Sequence, residues 1–571
     1  MEVGFNGRAM VQTDLFETRY PNLSFLLRFH EIGPISPKSE VVEIDYLEKL
    51  DVVYVYGLGL GATYPSLKRW LSENQERDLV FIEENLGAVA AFLQSEYASE
   101  ILAHPQVHIR FNLNKKRLNA FLKECAESFP FENIGVFATP SNMGSRFYRL
   151  RLKLHRYTTI QHALFLENHY YNLFFNNLHE NFYRMETAFN GNGLKGSFQK
   201  TPAIICGAGP SLANDIETLR TLNHQALIIA GGSAITVLSH HGIEPHFGMA
   251  IDPNEEEVKR FKEASTFEVP LLYATRLHPD IFQTRNGPHG YLQTGTGGAA
   301  EKWLEKKLQL QLPPLQEGFT IEALSVTTTA IEFAATLGCD PIILLGVDLA
   351  FTGGKTYASG VASFTSKKKE QEVRTGERLL RRKDIYGNPI QTLVKWVMES
   401  SAISTFAKCN PHIKVINATS GGMGFKDIPH APLNDIKMPF SQDLYAKVHQ
   451  LIQTHPLPVK KGKIKKHLKE LKKSLLKAKQ CIEMAHEELE KTKGTSKEPE
   501  TGRLIFAQLE LETLDAYTCF LKDPDQTFLP TLERRYRPPS WKEIDPTLKW
   551  HYLHAKWSAY EDLVSFYLRV L

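Results

Sequence analysis

Small and acidic residues recur behind short apolar runs between positions 203 and 254, AIICGAGPSLANDIETLRTLNHQALIIAGGSAITVLSHHGIEPHFGMAIDPN. Gly207, Gly209 and Pro210 halt the run 203–206, Gly231, Gly232 and Ser233 halt 226–230, and Asp252-Pro253 halts 247–251. Ser211 is placed to cap a helix beginning near Leu212, with Asp215 and Glu217 in its first turns, where negative charge suits the macrodipole. A turn that bares backbone N–H groups at a helix N-terminus binds anions, so a phosphate or nucleotide is expected at Gly207, Gly209, Pro210 and Ser211. Further along, the run 341–346 delivers Asp348. Residues 294–298 can hug a ligand through Gly295 and Thr296, or can be a loop that needs positive φ. Residues 325–329 open a helix through Leu337, where the hydroxyls of Thr327 and Thr328 beside free N–H groups suit a phosphate or carboxylate. Asp252 and Asp348 are candidates for proton transfer or for orienting a substrate; acids capping turns at strand ends are the plain alternative.

Residues so spaced need a parallel sheet to bring them together. Flat apolar runs too short to be helices alternate with helical stretches, which predicts an open α/β sheet binding its ligand at the carboxyl ends of the strands. Further strands are expected at 270–273, 291–293 and 412–416, a helix at 392–407, and a short hairpin or exposed loop at 384–389. The 571 residues exceed one core. A first, Rossmann-like domain spans 1–142, with strands at 52–56, 79–82, 107–111 and 134–138. Its turn Gly57-x-Gly59-x-Gly61 is followed by Glu83, an acid available for a ribose hydroxyl, although the third, spaced glycine of the dinucleotide fingerprint is missing. A nicotinamide cofactor or S-adenosylmethionine would fit that outline; a scaffold is the reading placed ahead of it. Connecting helices fill 143–193, where His155, His162, His169 and His179 form no tight ligand set, so no metal is expected. The central α/β domain covers 194–437 and a helical domain 438–571.

The order Gly207-x-Gly209-Pro210-Ser211-Leu212, Asp252-Pro253, Leu345-Gly346-Val347-Asp348-Leu349-Ala350-Phe351, then Asn417-Ala418-Thr419 with Gly421-Gly422, resembles the motility accessory factor family of flagellin glycosylation proteins. The resemblance covers about 182–429. The same core is similar to archaeal 6-hydroxymethylpterin diphosphokinases and, more distantly, to bacterial sialyltransferases that use a CMP-sugar. It implies a Rossmann-like glycosyltransferase-type domain that takes a nine-carbon acidic sugar from a CMP-sugar donor to a protein or glycan acceptor. The nucleotide would lie on Gly207 to Ser211, Gly232, Ser233, Gly295, Thr296, Thr327 and Thr328. Asn417, Thr419, Gly421 and Gly422 would line the donor site, and Asp252, Asp348 and Asn417 would orient sugar or acceptor. Mg²⁺ and ATP would belong to the diphosphokinase alternative. The chain departs from the family pattern twice. Tyr357 stands where many members have a histidine, which removes the obvious general base and leaves Asp252, Asp348 or the acceptor's own acidity; Ser420 stands where an acid is common. A catalytically weakened scaffold that binds nucleotide or glycan is therefore a further alternative.

Charge is nearly balanced, 67 basic against 64 acidic residues, so nucleic-acid binding would need a local patch. Six scattered cysteines suggest reduced, mostly buried thiols, and neither an apolar leader nor a membrane-length run is read, which together predict a cytoplasmic protein. In the last domain Ile464, Leu468, Leu471, Leu475, Ala478, Ile482, Ala485 and Leu489 step by four and three, the seam of a coiled-coil-like helix. A return helix at 504–520 would close a helical hairpin, and an aromatic segment from Tyr536 and Trp541 to Tyr567 would cap it. Ten lysines and one glutamate lie between Lys460 and Lys479, at a helix N-terminus where the macrodipole disfavours them. They form either a solvated face or a surface for an anionic partner; without interleaved aromatic residues nucleic acid is not favoured.

Overall fold

The computed structural model describes residues 14–30, 38–112, 114–265, 268–315, 319, 325–359, 379–438, 441–495, 501–536 and 546–571. The residues before Asp14, together with Ser496 and Trp541, lie outside them. The chain forms two compact units. One contains 1–169, 482–508 and 524–560, and the other 170–481, 509–523 and 561–571.

In the first unit, β1 (Val52–Tyr56), β2 (Asp78–Glu83), β3 (Val107–Phe111) and β4 (Ile134–Ala138) make a parallel sheet of order β3-β2-β1-β4. Alternate residues serve two cores. Val53, Val55, Leu79 and Phe81 pack with Leu67, Trp70 and Phe92 on one face, while Val52, Tyr54, Val80 and Ile82 pack with Leu122, Phe129 and Phe147 on the other. Burial on both faces is why β1, β2 and β4 read as nearly continuous apolar runs, whereas the edge strand β3 alternates.

The second unit holds β5 (Phe189–Asn190), β6 (Ala203–Cys206), β7 (Leu227–Gly231), β8 (Phe247–Ala250), β9 (Leu271–Tyr273), β10 (His289–Tyr291), β11 (Ile342–Leu345), the hairpin β12 (Leu379–Lys383) and β13 (Pro389–Leu393), and β14 (Val415–Asn417). Eight of these strands form a parallel sheet, β14-β11-β6-β7-β8-β9-β10-β5. β10 lies two residues before its expected place, β14 is shorter than expected, and β5, which closes one edge, falls in a segment read as connecting helix and chain break. The helix Val326–Leu337 lays Ala330, Ile331, Phe333 and Ala334 on Ile205, Leu227, Ile229, Phe247 and Leu344.

The long helix Lys463–Glu490 buries every residue of its predicted seam, from Ile464 to Leu489. The return is helical over Thr501–Glu512 and, after a break, through the π-helical turn Tyr517–Leu521 into the helix Lys522–Tyr536, so it runs on past its expected end at 520. Trp557, Tyr560 and Tyr567 of the last helix, Pro546–Val570, are buried. Among the described residues no helix is long and apolar enough to cross a membrane, and no group of His, Cys, Asp and Glu could hold a metal ion. All cysteines are free thiols, and only Cys409 is exposed.

Candidate functional site

The exits of β6, β11 and β14 converge on Asp348. Gly207 donates its N–H to Leu345 O and Gly209 to Gly346 O, both at 2.8 Å. The N–H groups expected to face an anion are therefore committed to the neighbouring strand exit. The glycines permit that approach, since a Cβ on Gly209 would stand 2.6 Å from Gly346 O and 2.1 Å from Asp348 Oδ1. Ser211 caps no α-helix: residues Pro210–Asn214 form a 3₁₀ turn, and the helix Ile216–Thr221 starts later. Its hydroxyl instead donates to Asp348 Oδ1 at 2.6 Å. Asp348 is only 2% exposed, and burial raises its pKa against the opposing bond from Ser211.

The remaining predicted residues of this edge hold Asp348 in place. Gly422 has φ +75°, and a Cβ there would meet Asp348 O at 2.2 Å. Met423 donates to the same carbonyl at 2.9 Å, and Gly421 lies against the Asp348 side chain. Thr419 accepts the Val347 N–H at 3.1 Å, and Asn417 accepts the Thr419 N–H at 3.0 Å. Ser420, found where the resemblance expects an acid, lies 3.1 Å from Asp215 Oδ2, so a carboxylate reaches that place from another element.

A second cluster forms over β7, β8 and β9. Asp252, two residues past β8, is half-buried; burial raises its pKa while Arg276, Arg260 and Lys395 oppose the rise. Glu257, in the helix Glu255–Lys262 capped by Asn254, is wholly buried and bonded to Arg260 at 3.0 Å. Burial, with the Asp252 charge beside it, pushes Glu257 up to about 7. Gly232 adopts φ +46°, and a Cβ there would stand 2.8 Å from Glu257 Oε1. Tyr357 packs its ring 5.8 Å from the Arg260 guanidinium carbon. The segment carrying Tyr357 joins the two clusters, because Ala358 donates to Ala208 O at 2.9 Å.

Val326 packs on Gly231, which sets the start of the helix Val326–Leu337 beside this cluster. Thr328 does not face outward: it is buried and completes a capping box with Ser325. Thr327 is half-buried. Ser325 also donates to Glu399 at 2.6 Å. In the loop at 294–298, Gly295 has φ +72° and the hydroxyls of Thr294 and Thr296 lie 2.8 Å apart. Gly297 donates its N–H to the buried Glu301 at 3.0 Å, and Thr275 donates to the same carboxylate. Ser233 begins the helix Ser233–His240 and is buried.

Glu83 in the first unit turns its carboxylate onto the chain's own backbone. Its Oε2 accepts the Leu58 N–H of the glycine turn at 2.9 Å, and Oε1 accepts those of Glu84 and Asn85 at 2.8 and 2.9 Å. Gly57, Gly59 and Gly61 all take positive φ, and a Cβ on Gly57 would meet the side chains of Asn142 and Thr139.

Sequence reasoning missed Glu257, Arg260, Arg276, Lys395, Glu399 and Glu301. The rule that selected Asp252, a charged residue just past a strand end, also selects Arg276, three residues after β9. Lys395 lies two residues past β13, but the sequence reads there as a hairpin or loop ending at 389 and so offers no strand end to follow.

Residues 176–354, which span β5 to β11, match a family described as MptE-like, 6-hydroxymethylpterin diphosphokinase MptE-like. No match was found among curated proteins. Among solved structures, the MAf glycosyltransferase from Magnetospirillum magneticum AMB-1 aligns with a TM-score of 0.51 and 14% identity, covering 98% of this chain and 96% of that one. The chain therefore shares its fold with that glycosyltransferase and carries an MptE-like segment through the centre of its larger sheet.

Proposed function

We propose that the protein transfers an acidic nine-carbon sugar from a CMP-sugar donor to a protein or glycan acceptor in the cytoplasm. The observation that carries this reading is the meeting of Asp252 with Arg260, Arg276 and Lys395 at the carboxyl edge of the sheet. Positive groups there can balance the phosphate and carboxylate of such a donor, and a half-buried carboxylate among them can take a proton from an acceptor hydroxyl. The edge formed by Gly207, Gly209, Pro210, Ser211, Asp348, Asn417, Thr419, Gly421 and Gly422 is a rigid wall of the nucleotide site. Gly232, Ser233, Gly295, Thr296 and Thr327 border the donor, and Tyr357 orients Arg260. The MptE-like match favours one second reading, pyrophosphoryl transfer from ATP with Mg²⁺ to a pterin. The exposed lysines of the helix Lys463–Glu490 would meet an anionic partner, such as an acidic acceptor.

Calorimetric titration with CMP, CMP-sugars, ATP and 6-hydroxymethylpterin, each with and without Mg²⁺, separates these readings. Binding of CMP and its sugars, with transfer lost in Asp252→Asn at unchanged melting temperature, is the expected result. Binding of ATP and pterin alone would move the assignment to the diphosphokinase, and nucleotide or glycan binding without any transfer would leave a scaffold.

A further inference from the structure

Behind Asp252 the fold keeps a second carboxyl group that local packing does not require. Glu257 stands third in its helix, a position from which a glutamate can cap the helix start, yet its Oε1 has no hydrogen-bond partner among the described residues. Leaving a buried carboxylate oxygen unpaired is costly, and a neutral side chain of the same size would avoid that cost. The surroundings are nevertheless shaped around it. Gly232, in a left-handed conformation, leaves open the space that Oε1 faces, while Arg260 grips Oε2 and is itself held against the Tyr357 ring. Among the described residues, three positive groups face the two carboxyls, Arg260 on the helix of Glu257, Arg276 after β9 and Lys395 on the helix Val394–Cys409, while Asp252 itself comes from the exit of β8. Glu399, bonded to Ser325, shares Lys395.

We infer that Glu257 is a positioning residue whose charge makes Asp252 a base, so that the pair, rather than either carboxyl alone, takes up the proton of the acceptor. The inference rests on the sugar-transfer reading for its substrate but not for its chemistry. In the transfer, the acceptor oxygen forms a bond to the anomeric carbon and the bond from that carbon to the phosphate oxygen breaks. The electron pair leaves on CMP, and the acceptor proton passes to Asp252. Two like charges become one shared between the carboxyls, which relieves their repulsion and favours uptake. Release of that proton to water restores the pair. The arrangement supplies a base near neutral pH without a histidine at position 357.

The test has an arm that needs no substrate. Infrared difference spectra between the parent and Glu257→Gln, taken from pH 5 to 9, should contain one buried carboxyl band that titrates near pH 7. In Asp252→Asn the Glu257 band should titrate at lower pH, since its like-charged neighbour is gone. In transfer assays Glu257→Gln should lose the ionisation near pH 7 from the rate profile and shift the remaining one downward. A titrating pair without sugar transfer would uphold the pair and reject only the substrate. A Glu257 band that titrates at the same pH with and without Asp252 would overturn the inference. Should Glu257→Gln fail to fold, the Asp252→Asn spectra decide alone.

Discussion

Replacing Glu301 by glutamine should make the unfolding stability of the protein less dependent on pH. Glu301 is 1% exposed, accepts bonds from Thr275 and Gly297, and thereby anchors the loop at 294–298 that borders the proposed donor site. Burial, reinforced by the neighbouring Glu305, pushes its pKa from 4.5 up to about 7. An acid whose folded pKa is raised contributes its full stability below the unfolded value; that contribution is lost as pH rises to the folded one, because the unfolded chain ionises first. The shift corresponds to about 3 kcal/mol in all, of which roughly 2.5 kcal/mol falls between pH 5 and 8. Glutamine keeps the size and an acceptor for Gly297 but cannot ionise, so Glu301→Gln should gain on the parent by about that amount over the same interval. Urea unfolding of both proteins at pH 5, 6, 7 and 8 measures it, and comparison at each pH removes the contribution of Glu257. A stability difference that stays constant from pH 5 to 8 would refute the reasoning.

Two further perturbations probe other parts of the molecule. Gly422→Ala combines a left-handed backbone with a Cβ at 2.2 Å from Asp348 O, and should destabilise the protein by about 2 to 5 kcal/mol, read as a lower melting temperature; a variant that melts with the parent would show that the contact relaxes freely. Exchanging the exposed Lys465, Lys469, Lys473 and Lys477 for glutamine should leave the melting temperature level or slightly higher, because like charges four apart on a helix repel. The same variant should bind heparin or anionic liposomes more weakly and with a flatter salt dependence; a lower melting temperature with unchanged binding would make the lysines structural.

The order of β6 to β8 and the seam of the long helix were legible in the sequence because each rests on a local pattern. A flat apolar run bounded by glycine or proline has few ways to fold, and a seam from Ile464 to Leu489 can bury only one face. β5 was not legible: two residues carry no periodicity, and their pairing to β10 is created by the sheet. In the candidate site, the motif residues around Asp348 could be named but their duties could not. Whether Gly209 N–H faces a ligand or Gly346 O depends on how closely β6 and β11 emerge side by side, which is a tertiary distance. Ser211 and Thr328 show the same limit: one hydroxyl was expected to cap a helix and the other to meet an anion, and each has an internal partner instead. Arg260 and Lys395 are 135 positions apart and meet only through the fold.

The clasp of Glu83 on the glycine turn of the first unit bears on how that sheet responds to small molecules. A sheet whose strand-end acid awaits a ribose gains stability in proportion to the logarithm of nucleotide concentration, so its persistence follows the supply of that metabolite. Here three backbone N–H groups already occupy three of the carboxylate's roughly four acceptor sites. A ligand hydroxyl could add to the remaining site on Oε2 without stranding a donor, but no N–H of the turn depends on it. The N–H groups of the turn are thus satisfied by the chain's own acid, which ties the glycine turn to the end of β2.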